Sequence, residues 1–144
     1  MKIDIIKYSD LTKDQLFELF RLRINVFVVE QNCPYQEIDE IDLISHHIIG
    51  SNDKQIVALG RLYKKDNLIH IGRIAVKKEF RNFGYARELI QFTLKFLKSS
   101  YPTLGIEISA QEYLLKFYIS LGFNTIGDTY LEDGIPHVKM VYFS

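Results

Sequence analysis

The fold of this chain is decided by residues 69–86, which read Ile69-His70-Ile71-Gly72-Arg73-Ile74-Ala75-Val76-Lys77-Lys78-Glu79-Phe80-Arg81-Asn82-Phe83-Gly84-Tyr85-Ala86. The first part is apolar enough for a buried strand, and the middle is a basic turn that contains a glycine. From Ala86 onward apolar side chains recur at helical spacing, at Leu89, Ile90, Thr93, Leu94 and Leu97. The stretch therefore predicts a strand, a turn and an amphipathic helix that begins close to Gly84.

The junction between this strand and this helix has the properties of an anion-binding site. Backbone N–H groups at a helix start are unsatisfied, and the helix dipole attracts negative charge there. Gly84 permits close approach and a positive φ, and the basic side chains nearby are Lys77, Lys78, Arg81 and Arg87. The alternative is an ordinary turn with a solvated basic flank. Neither G-x-x-x-x-G-K-[ST] nor G-x-G-x-x-G occurs, so a P-loop is excluded and a dinucleotide site is disfavoured.

The composition indicates one globular domain, residues 1–144, with an ordinary balance of 47% hydrophobic and 25% charged residues. Lys plus Arg and Asp plus Glu number 18 each, so the net charge is zero and nucleic acid is not expected as a partner. Cys33 is the only cysteine, which excludes an intramolecular disulfide and fits a reducing compartment. Without a signal peptide or membrane-length apolar run, we expect a soluble cytoplasmic protein that contacts no membrane.

The remaining elements follow from periodicity and turn residues. Thr12 and Gln15 form a potential capping box for a helix of about four turns that ends near Phe27, because the β-branched residues after it disfavour helix. A further helix is predicted over 112–121, ended by Gly122. Strands are predicted over 2–8, 46–50, 55–63, 68–76, 104–110, 124–130 and 137–142, the last two flanking a turn at 132–136. The order predicts an α+β (α/β) fold around one mixed, mostly antiparallel sheet flanked by helices.

The segment 28–45 is predicted to be a long irregular loop with an unusual charge. It contains five acids, Glu30, Glu37, Asp39, Glu40 and Asp42, and no Lys or Arg. Each single acid has an ordinary interpretation as a solvated side chain. The loop as a whole favours contact with a cationic substrate, because long loops in compact domains are often functional.

Two sets of motifs resemble a known family. Arg81-x-x-Gly84-x-Ala86, directly after a strand that ends in Ile-Ala-Val, resembles the pyrophosphate-binding motif of the GNAT superfamily of acyl-CoA-dependent N-acyltransferases. The predicted order of elements matches the GNAT fold along nearly the whole chain. The stretches 22–35 (Leu-Arg-x-x-Val-Phe-Val-Val-Glu-Gln-x-Cys-Pro-Tyr) and 132–137 (Glu-Asp-Gly-Ile-Pro-His) resemble the ElaA-like subgroup. The resemblance implies acetyl-CoA as cosubstrate and no metal.

The resemblance also implies which residues bind the cosubstrate. In GNAT enzymes the strand before the phosphate loop carries a bulge and splays from its parallel neighbour, here 69–76 and 104–110, and the pantetheine arm lies in the gap. Backbone contacts with pantetheine then fall to Ile74, Ala75 and Val76. Gln111 stands where the family often has a pantetheine-binding Asn. The pyrophosphate falls to Arg81 and to the amides of Asn82, Phe83, Gly84, Tyr85 and Ala86.

Catalytic candidates follow from the chemistry that acyl transfer requires. The stretch 117–123 (Phe-Tyr-x-x-x-Gly-Phe) resembles the family's helix end whose tyrosine protonates the departing thiolate, which makes Tyr118 the general acid; it also fits a buried aromatic position. The base is open: His70 and Glu30 are candidates, with Glu107 and His137 as rivals. A backbone N–H of the splayed strand is expected to polarise the thioester carbonyl.

We therefore expect an N-acetyltransferase that moves acetyl from acetyl-CoA to a primary amine, small or peptidic, by direct attack in a ternary complex. A non-catalytic acyl-CoA sensor of the same fold is the alternative. Acyl-homoserine-lactone synthases share a similar Arg-x-x-Val-Phe stretch, but they usually carry tryptophans and this chain has none. The acceptor and the oligomeric state, monomer or homodimer, stay open.

Overall fold

The computed structural model of the chain describes residues 1–143, which form one seven-stranded sheet with helices on both faces. The strands are β1 (Lys2–Lys7), β2 (His46–Asn52), β3 (Gln55–Lys65), β4 (Leu68–Val76), β5 (Gly105–Gln111), β6 (Asn124–Glu132) and β7 (Ile135–Tyr142). The helices are α1 (Lys13–Ile24), α2 (Ile41–Ile44), α3 (Tyr85–Ser100) and α4 (Leu115–Ser120), with a π-helical turn at Asn25–Glu30 and short 3₁₀ turns at Tyr8–Asp10, Lys78–Phe80 and Glu112–Leu114.

The order of strands in the sheet is β1-β2-β3-β4-β5-β7-β6. Every neighbouring pair is antiparallel except β4 and β5, which run parallel and are joined by α3. The sheet is therefore mixed and mostly antiparallel, and the predicted α+β fold is confirmed. Among residues 1–143 we find no helix with the length and apolar character needed to cross a bilayer.

The core lies in two layers, one on each face of the sheet. Successive strand residues point to opposite faces, so Ile48 packs in the layer under α3 while Ile49 packs in the layer under α1. The α3 layer contains the apolar positions predicted from the helical spacing, Leu89, Ile90, Leu94 and Leu97. The α1 layer contains Leu19, Leu22, Val26, Leu59 and Ala75.

The start of α1 is as predicted, but its end is not. Thr12 and Gln15 make the reciprocal capping box. The helical path does not end near Phe27; it continues as the wide π-helical turn through Glu30. Val26 is buried in the α1 layer, and this tertiary packing outweighs the weak helix propensity of the β-branched residues that follow.

The C-terminal hairpin is tighter than predicted. The two strands extend to Glu132 and from Ile135, so the turn consists of Asp133 and Gly134 alone. Both turn residues have positive φ, 51° and 78°. An Asp-Gly pair with this geometry matches the right-handed twist of the two strands and makes the shortest hairpin connection.

Candidate active site

The parallel pair β4–β5 opens into a cleft halfway along its length. Only four residue pairs form, from Leu68 with Gly105 to Ile71 with Ile108, and the ladder then stops. A cavity of about 530 Å³ lies where the strands part. The predicted site residues that line it are His70, Ile74, Gln111 and Tyr118, together with the rivals Glu107 and His137. The predicted gap between these strands is confirmed.

A β-bulge in β4 borders this cleft. On β3, Leu59 pairs with Ala75 and Arg61 pairs with Gly72, so Arg73 and Ile74 stand opposite the single residue Gly60. Arg73 has a φ of 52°, which is uncommon for a non-glycine residue in a strand. The bulge expected in this strand is therefore present, and its two residues are left without ladder partners on β3 or β5.

The predicted anion-binding turn leads directly into α3. Gly84 is the residue before the helix, with a φ of 77°, and the helix start has no side-chain cap. Asn82 also has a positive φ, 70°. No atom lies within 4 Å of where a Cβ on Gly84 would stand, so the space above the turn is open. The first amides of α3 are thus left for an external acceptor such as phosphate.

Arg81 and Glu30 are paired with each other, outside the cavity that Tyr118 lines. The Nε of Arg81 donates to the carbonyl of Val76 at 3.0 Å, and its Nη2 lies 2.8 Å from Glu30 Oε2. Glu30 lines a separate depression with Lys77 and Lys78. The geometry does not support the expectation that Glu30 is the catalytic base, because its carboxylate is paired with an arginine and lies in a different depression.

Tyr118 is both a core residue and a cavity residue. Its side chain is buried, with edge-on contacts to Phe117 and Phe123 at ring distances of 5.1 and 5.8 Å. Burial, together with the nearby Tyr113, raises the pKa of Tyr118 well above its ordinary value. The hydroxyl therefore stays protonated at every physiological pH, as a proton donor must.

The His70 side chain contacts a carboxylate through one ring nitrogen and stacks on an aromatic ring. Its Nδ1 lies 3.0 Å from Glu107 Oε2, and its ring stacks on Tyr63 at 5.1 Å. Glu107 in turn lies 3.4 Å from the ammonium group of Lys139. The Nε2 atom of His70 is buried and has no hydrogen-bond partner within the described chain. A carboxylate at Nδ1 favours the tautomer that leaves the Nε2 lone pair free.

His137 is a second histidine with a fixed tautomer on the same cavity. Its Nδ1 donates to the carbonyl of Ile135 at 2.7 Å, since a carbonyl can only accept. Its Nε2 lies 3.3 Å from Glu132 Oε2. The Tyr130 ring stacks beside it at 6.2 Å. Both ring nitrogens of His137 thus face an oxygen acceptor, whereas the Nε2 of His70 has no partner among residues 1–143.

Gln111 is engaged by a residue that the sequence does not single out. Gln31, at the end of the π-helical turn, exchanges two side-chain amide hydrogen bonds with it, at 3.3 and 3.4 Å. Cys33 lies nearby and donates through its thiol to the carbonyl of Asp133 at 3.4 Å, which is a structural contact. A pantetheine that uses Gln111 has to replace the bonds from Gln31.

Four of the five acids of the segment, Glu30, Glu37, Asp39 and Asp42, are paired with arginines, whereas Glu40 is exposed and has no ion-pair partner in the part of the chain that the structure describes. Contact of this segment with a cationic substrate stays a prediction. Glu37 and Asp42 are fully buried against Arg23, whose Nη1 lies 2.6 Å from Asp42 Oδ1. Arg61 lies 2.7 Å from Asp39 and 2.9 Å from Asp42. The four paired acids are compensated by arginines that lie at least 14 positions away in sequence. One signal was available, since Arg23 occupies an otherwise apolar face of α1.

Two groups of this network, Asp42 and Arg61, have pKa values shifted in favour of their charged forms. Burial by itself raises the pKa of Asp42, but hydrogen bonds and charge from Arg23 outweigh it and leave that pKa below its ordinary value. Burial likewise lowers the pKa of Arg61, and the hydrogen bonds to Asp39 and Asp42 more than restore it. Within residues 1–143, His, Cys, Asp and Glu side chains form no group of three arranged to hold a metal ion.

A short parallel ladder, a bulge beside it and an uncapped glycine turn before a helix are together the cleft of an acyl-CoA N-acyltransferase fold. An acyl-CoA N-acyltransferase from Pseudomonas aeruginosa has this fold with a TM-score of 0.93 at 34% identity, over 99% of both chains. A GNAT family acetyltransferase from Elizabethkingia anophelis, solved with acetyl-CoA bound, shares the fold at a TM-score of 0.73 and 16% identity, over 99% of this chain and 97% of that one.

The family model of the acetyltransferase (GNAT) domain matches residues 9–143. The ElaA protein of Escherichia coli is 39% identical over 140 residues, which cover 94% of this chain and 92% of that protein. Its crystal structure gives a TM-score of 0.93 at 37% identity, over 99% of both chains. This chain therefore belongs to the GNAT acetyltransferase family and is similar to its ElaA-like members, as its motifs predicted.

Proposed function

We propose that this protein is an acetyl-CoA-dependent N-acetyltransferase that acetylates a primary amine by direct attack in a ternary complex. The observation that carries the proposal is the early end of the β4–β5 ladder at Ile71 and Ile108, with Tyr118 on the cavity that opens there. The acetyl-CoA bound to the Elizabethkingia anophelis relative of the same fold supports this choice of cosubstrate. The free thiol of Cys33 is compatible with a cytoplasmic location.

The cosubstrate extends along the cleft from the phosphate turn to Tyr118. Its pyrophosphate accepts hydrogen bonds from the amides of 82–86 and from Arg81, which gives up Glu30 for it. Its pantetheine arm pairs with the backbone of Ile74, Ala75 and Val76, where the ladder with β5 is missing. Backbone pairing requires no particular side chain, so aliphatic residues are sufficient at these positions.

In the proposed reaction the amine nitrogen bonds to the thioester carbonyl carbon, and the C–S bond then breaks. A backbone N–H of the bulge polarises the carbonyl oxygen. A base takes one proton from the ammonium before the attack; the departing thiolate takes the proton of the Tyr118 hydroxyl, and the second proton that leaves the amine nitrogen goes to solvent. The products are the N-acetyl amine and CoA, and the proton returns to Tyr118 through solvent.

A base is needed because a lysine-type amine has a pKa near ~10, so only about one molecule in a thousand is neutral at pH 7. We assign this role to His70, whose Nε2 has no partner and whose Nδ1 is held by Glu107. His137 is the rival that the same cavity offers. The acceptor is a small or peptidic primary amine.

The experiment has a binding arm and a turnover arm. Calorimetry with acetyl-CoA is expected to give saturable one-site binding, and no binding at millimolar ligand would overturn the proposal. Release of the CoA thiol is then followed with a panel of primary amines. Binding without release for any amine identifies the alternative, an acyl-CoA sensor.

The base is assigned by comparing His70→Asn and His137→Asn. Removal of the base lowers kcat and removes the acidic limb of its pH profile, whereas the other variant keeps that limb. If His137→Asn alone loses the acidic limb, the base is His137. If neither variant loses it, the amine is deprotonated by solvent.

A further inference from the structure

We propose that Arg73 is a positioning residue for acyl transfer: its guanidinium, clamped by the buried Glu37, holds the β4 bulge in the conformation that the thioester carbonyl requires. This inference rests on the proposed function. It assigns a role to a side chain that borders the cleft but has no part in the binding or proton-transfer steps described above. The observations that support it are the backbone conformation of Arg73 and the contacts of its side chain.

The backbone of Arg73 is in a conformation that its own side chain disfavours. Its φ of 52° lies in the left-handed region, where a Cβ crowds the following carbonyl oxygen. The neighbour Gly72, which could adopt positive φ at no cost, does not take this place. Strained backbone persists only where surrounding contacts hold it. The contacts of the Arg73 side chain must therefore stabilise this φ, because the local sequence does not favour it.

The contacts that hold Arg73 come from the segment between the π-helical turn and α2. The Nη2 of Arg73 donates to the Glu37 carbonyl at 3.0 Å, and its Nε lies 2.6 Å from Glu37 Oε2 as an ion pair rather than an aligned hydrogen bond. Asp39 is 3.6 Å away, and the guanidinium lies over the Tyr35 ring at 5.5 Å. Three residues of this segment, Tyr35, Glu37 and Asp39, thus contact the Arg73 side chain.

Glu37 is itself a fixed point. Its side chain is completely buried and is bonded to Arg23 of α1 and to the hydroxyl of Tyr35. A buried carboxylate with two hydrogen-bonding partners cannot move without leaving a charge unpaired, which is strongly unfavourable. Because Glu37 contacts both Arg73 and Arg23, it fixes the position of the bulge relative to α1.

The clamp matters because the bulge determines where two unpaired backbone units point. Arg73 and Ile74 lack ladder partners on both sides, so no neighbouring strand fixes their amides. Stabilisation of an oxyanion depends on a donor that is in place before charge develops. A misplacement of about 1 Å can lower a rate by about a hundredfold. Without the clamp the strand can relax toward regular β geometry and withdraw the donor.

The test uses Arg73→Gly, because glycine adopts a positive φ freely and removes only the clamp. We expect kcat at saturation to fall by about 10- to 100-fold, with little change in the KM for acetyl-CoA. Ethylguanidinium added at millimolar concentration is expected to restore part of kcat by occupying the site beside Glu37. Arg21→Ala, which removes an exposed arginine of α1, is the control and should leave kcat unchanged.

Two further measurements distinguish positioning from simple stabilisation. In Arg73→Gly, amide hydrogen exchange is expected to accelerate in a peptide covering 69–76, while peptides from α3 keep their protection. Arg73→Lys keeps the positive charge but loses the planar guanidinium with its several N–H donors. Its kcat should therefore lie between those of the wild type and Arg73→Gly. If Arg73→Gly unfolds, Arg73→Lys and Glu37→Gln still report on the clamp.

The outcomes are separable from those of the proposed function. If the wild-type protein binds acetyl-CoA but acetylates no amine, the proposed function is refuted. The effect of Arg73 on the bulge is then tested by hydrogen exchange alone. Wild-type turnover combined with an unchanged kcat in folded Arg73→Gly, Arg73→Lys and Glu37→Gln overturns the positioning role alone. Loss of kcat that ethylguanidinium does not restore, without faster exchange at 69–76, also overturns it.

Discussion

The carboxylate of Glu30 lies 2.8 Å from the guanidinium of Arg81, so an acid of the π-helical turn is paired with the arginine of the proposed anion-binding turn. A pyrophosphate that binds there competes with Glu30 for the same donors. We therefore expect Glu30→Gln to tighten CoA binding. Because the pair is partly exposed, it contributes about 0.2–1 kcal/mol, which limits the gain to about fivefold.

Calorimetry at low ionic strength measures this effect. Glu18→Gln is the matched control, because Glu18 forms an exposed ion pair of similar length, 2.7 Å, with Arg21 within α1. It should leave the Kd for CoA unchanged. Weaker binding in Glu30→Gln would mean that Glu30 supports the site instead of competing with its ligand.

Substitution at Gly84 should separate strain from ligand binding. Gly84→Ala places a Cβ in open space at a φ of 77°, so it costs about 1 kcal/mol of stability through backbone strain. Gly127→Ala meets the same conditions at a φ of 75°, in β6. We expect both variants to lose similar stability in urea unfolding, and only Gly84→Ala to lose affinity for CoA. If Gly84→Ala and Gly127→Ala bind CoA with the same affinity, the phosphate does not approach this turn closely.

Tyr118→Phe should lower kcat without unfolding the protein. The two rings have nearly the same shape, so the packing against Phe117 and Phe123 is retained, and the loss of a general acid lowers kcat by about 10²–10⁴. Burial raises the pKa of Tyr118, so the wild-type kcat should show no decline from its ionisation up to about pH 10. Tyr113→Phe, at an exposed tyrosine of the preceding turn, is the control. A kcat for Tyr118→Phe equal to that of the control would exclude the role.

Acid should destabilise the protein in two stages. Burial, the largest effect, lowers the pKa of His47 below its ordinary value, although the Asp42 carbonyl and carboxylate oppose it. The unfolded chain therefore binds the proton more readily, and stability present above about pH 6.5 is lost as the pH falls below it. His46 contributes in the same direction, because burial and Lys7 lower its pKa. The pKa of Asp42 is also lowered, so a second loss begins below about pH 4.

Urea unfolding at pH 7.5, 6.5 and 5.5 tests the first stage. His47→Gln keeps a donor for the Asp42 carbonyl but cannot titrate, so its free energy of unfolding should vary less between these pH values than that of the wild type. An unchanged dependence would assign the acid lability to other groups.

Local patterns in the sequence were sufficient for most of the fold. Apolar spacing located α3, the pair Thr12 and Gln15 located the start of α1, and alternation or apolar runs bounded by turn residues located the seven strands. The positive φ of Gly84 follows from the same local chemistry. These features depend on residues within a few positions of one another, which is the range over which period and turn propensity act.

The features that the sequence did not reveal depend on contacts between distant residues. Arg23 meets Glu37 and Asp42 across 14 and 19 positions, and Gln31 meets Gln111 across 80. No local pattern encodes such pairs, so the sequence shows the acids of segment 28–45 but not the arginines that pair with four of them. The π-helical turn has the same origin, since packing of Val26 against the sheet, not propensity, continues the helix there.

The four-pair ladder between β4 and β5 also divides the protein. Four strands come from residues 2–76 and three from residues 105–142, so the sheet consists of two contiguous half-sheets that are joined along a short seam. The width of the cleft is then a property of how the two half-sheets meet along this seam. The apolar core under α3 continues across the seam and contains residues of both halves, so the halves are fixed to each other there while the strands part at the cleft. Acyl-chain length and cleft width can therefore change together through substitutions at the seam.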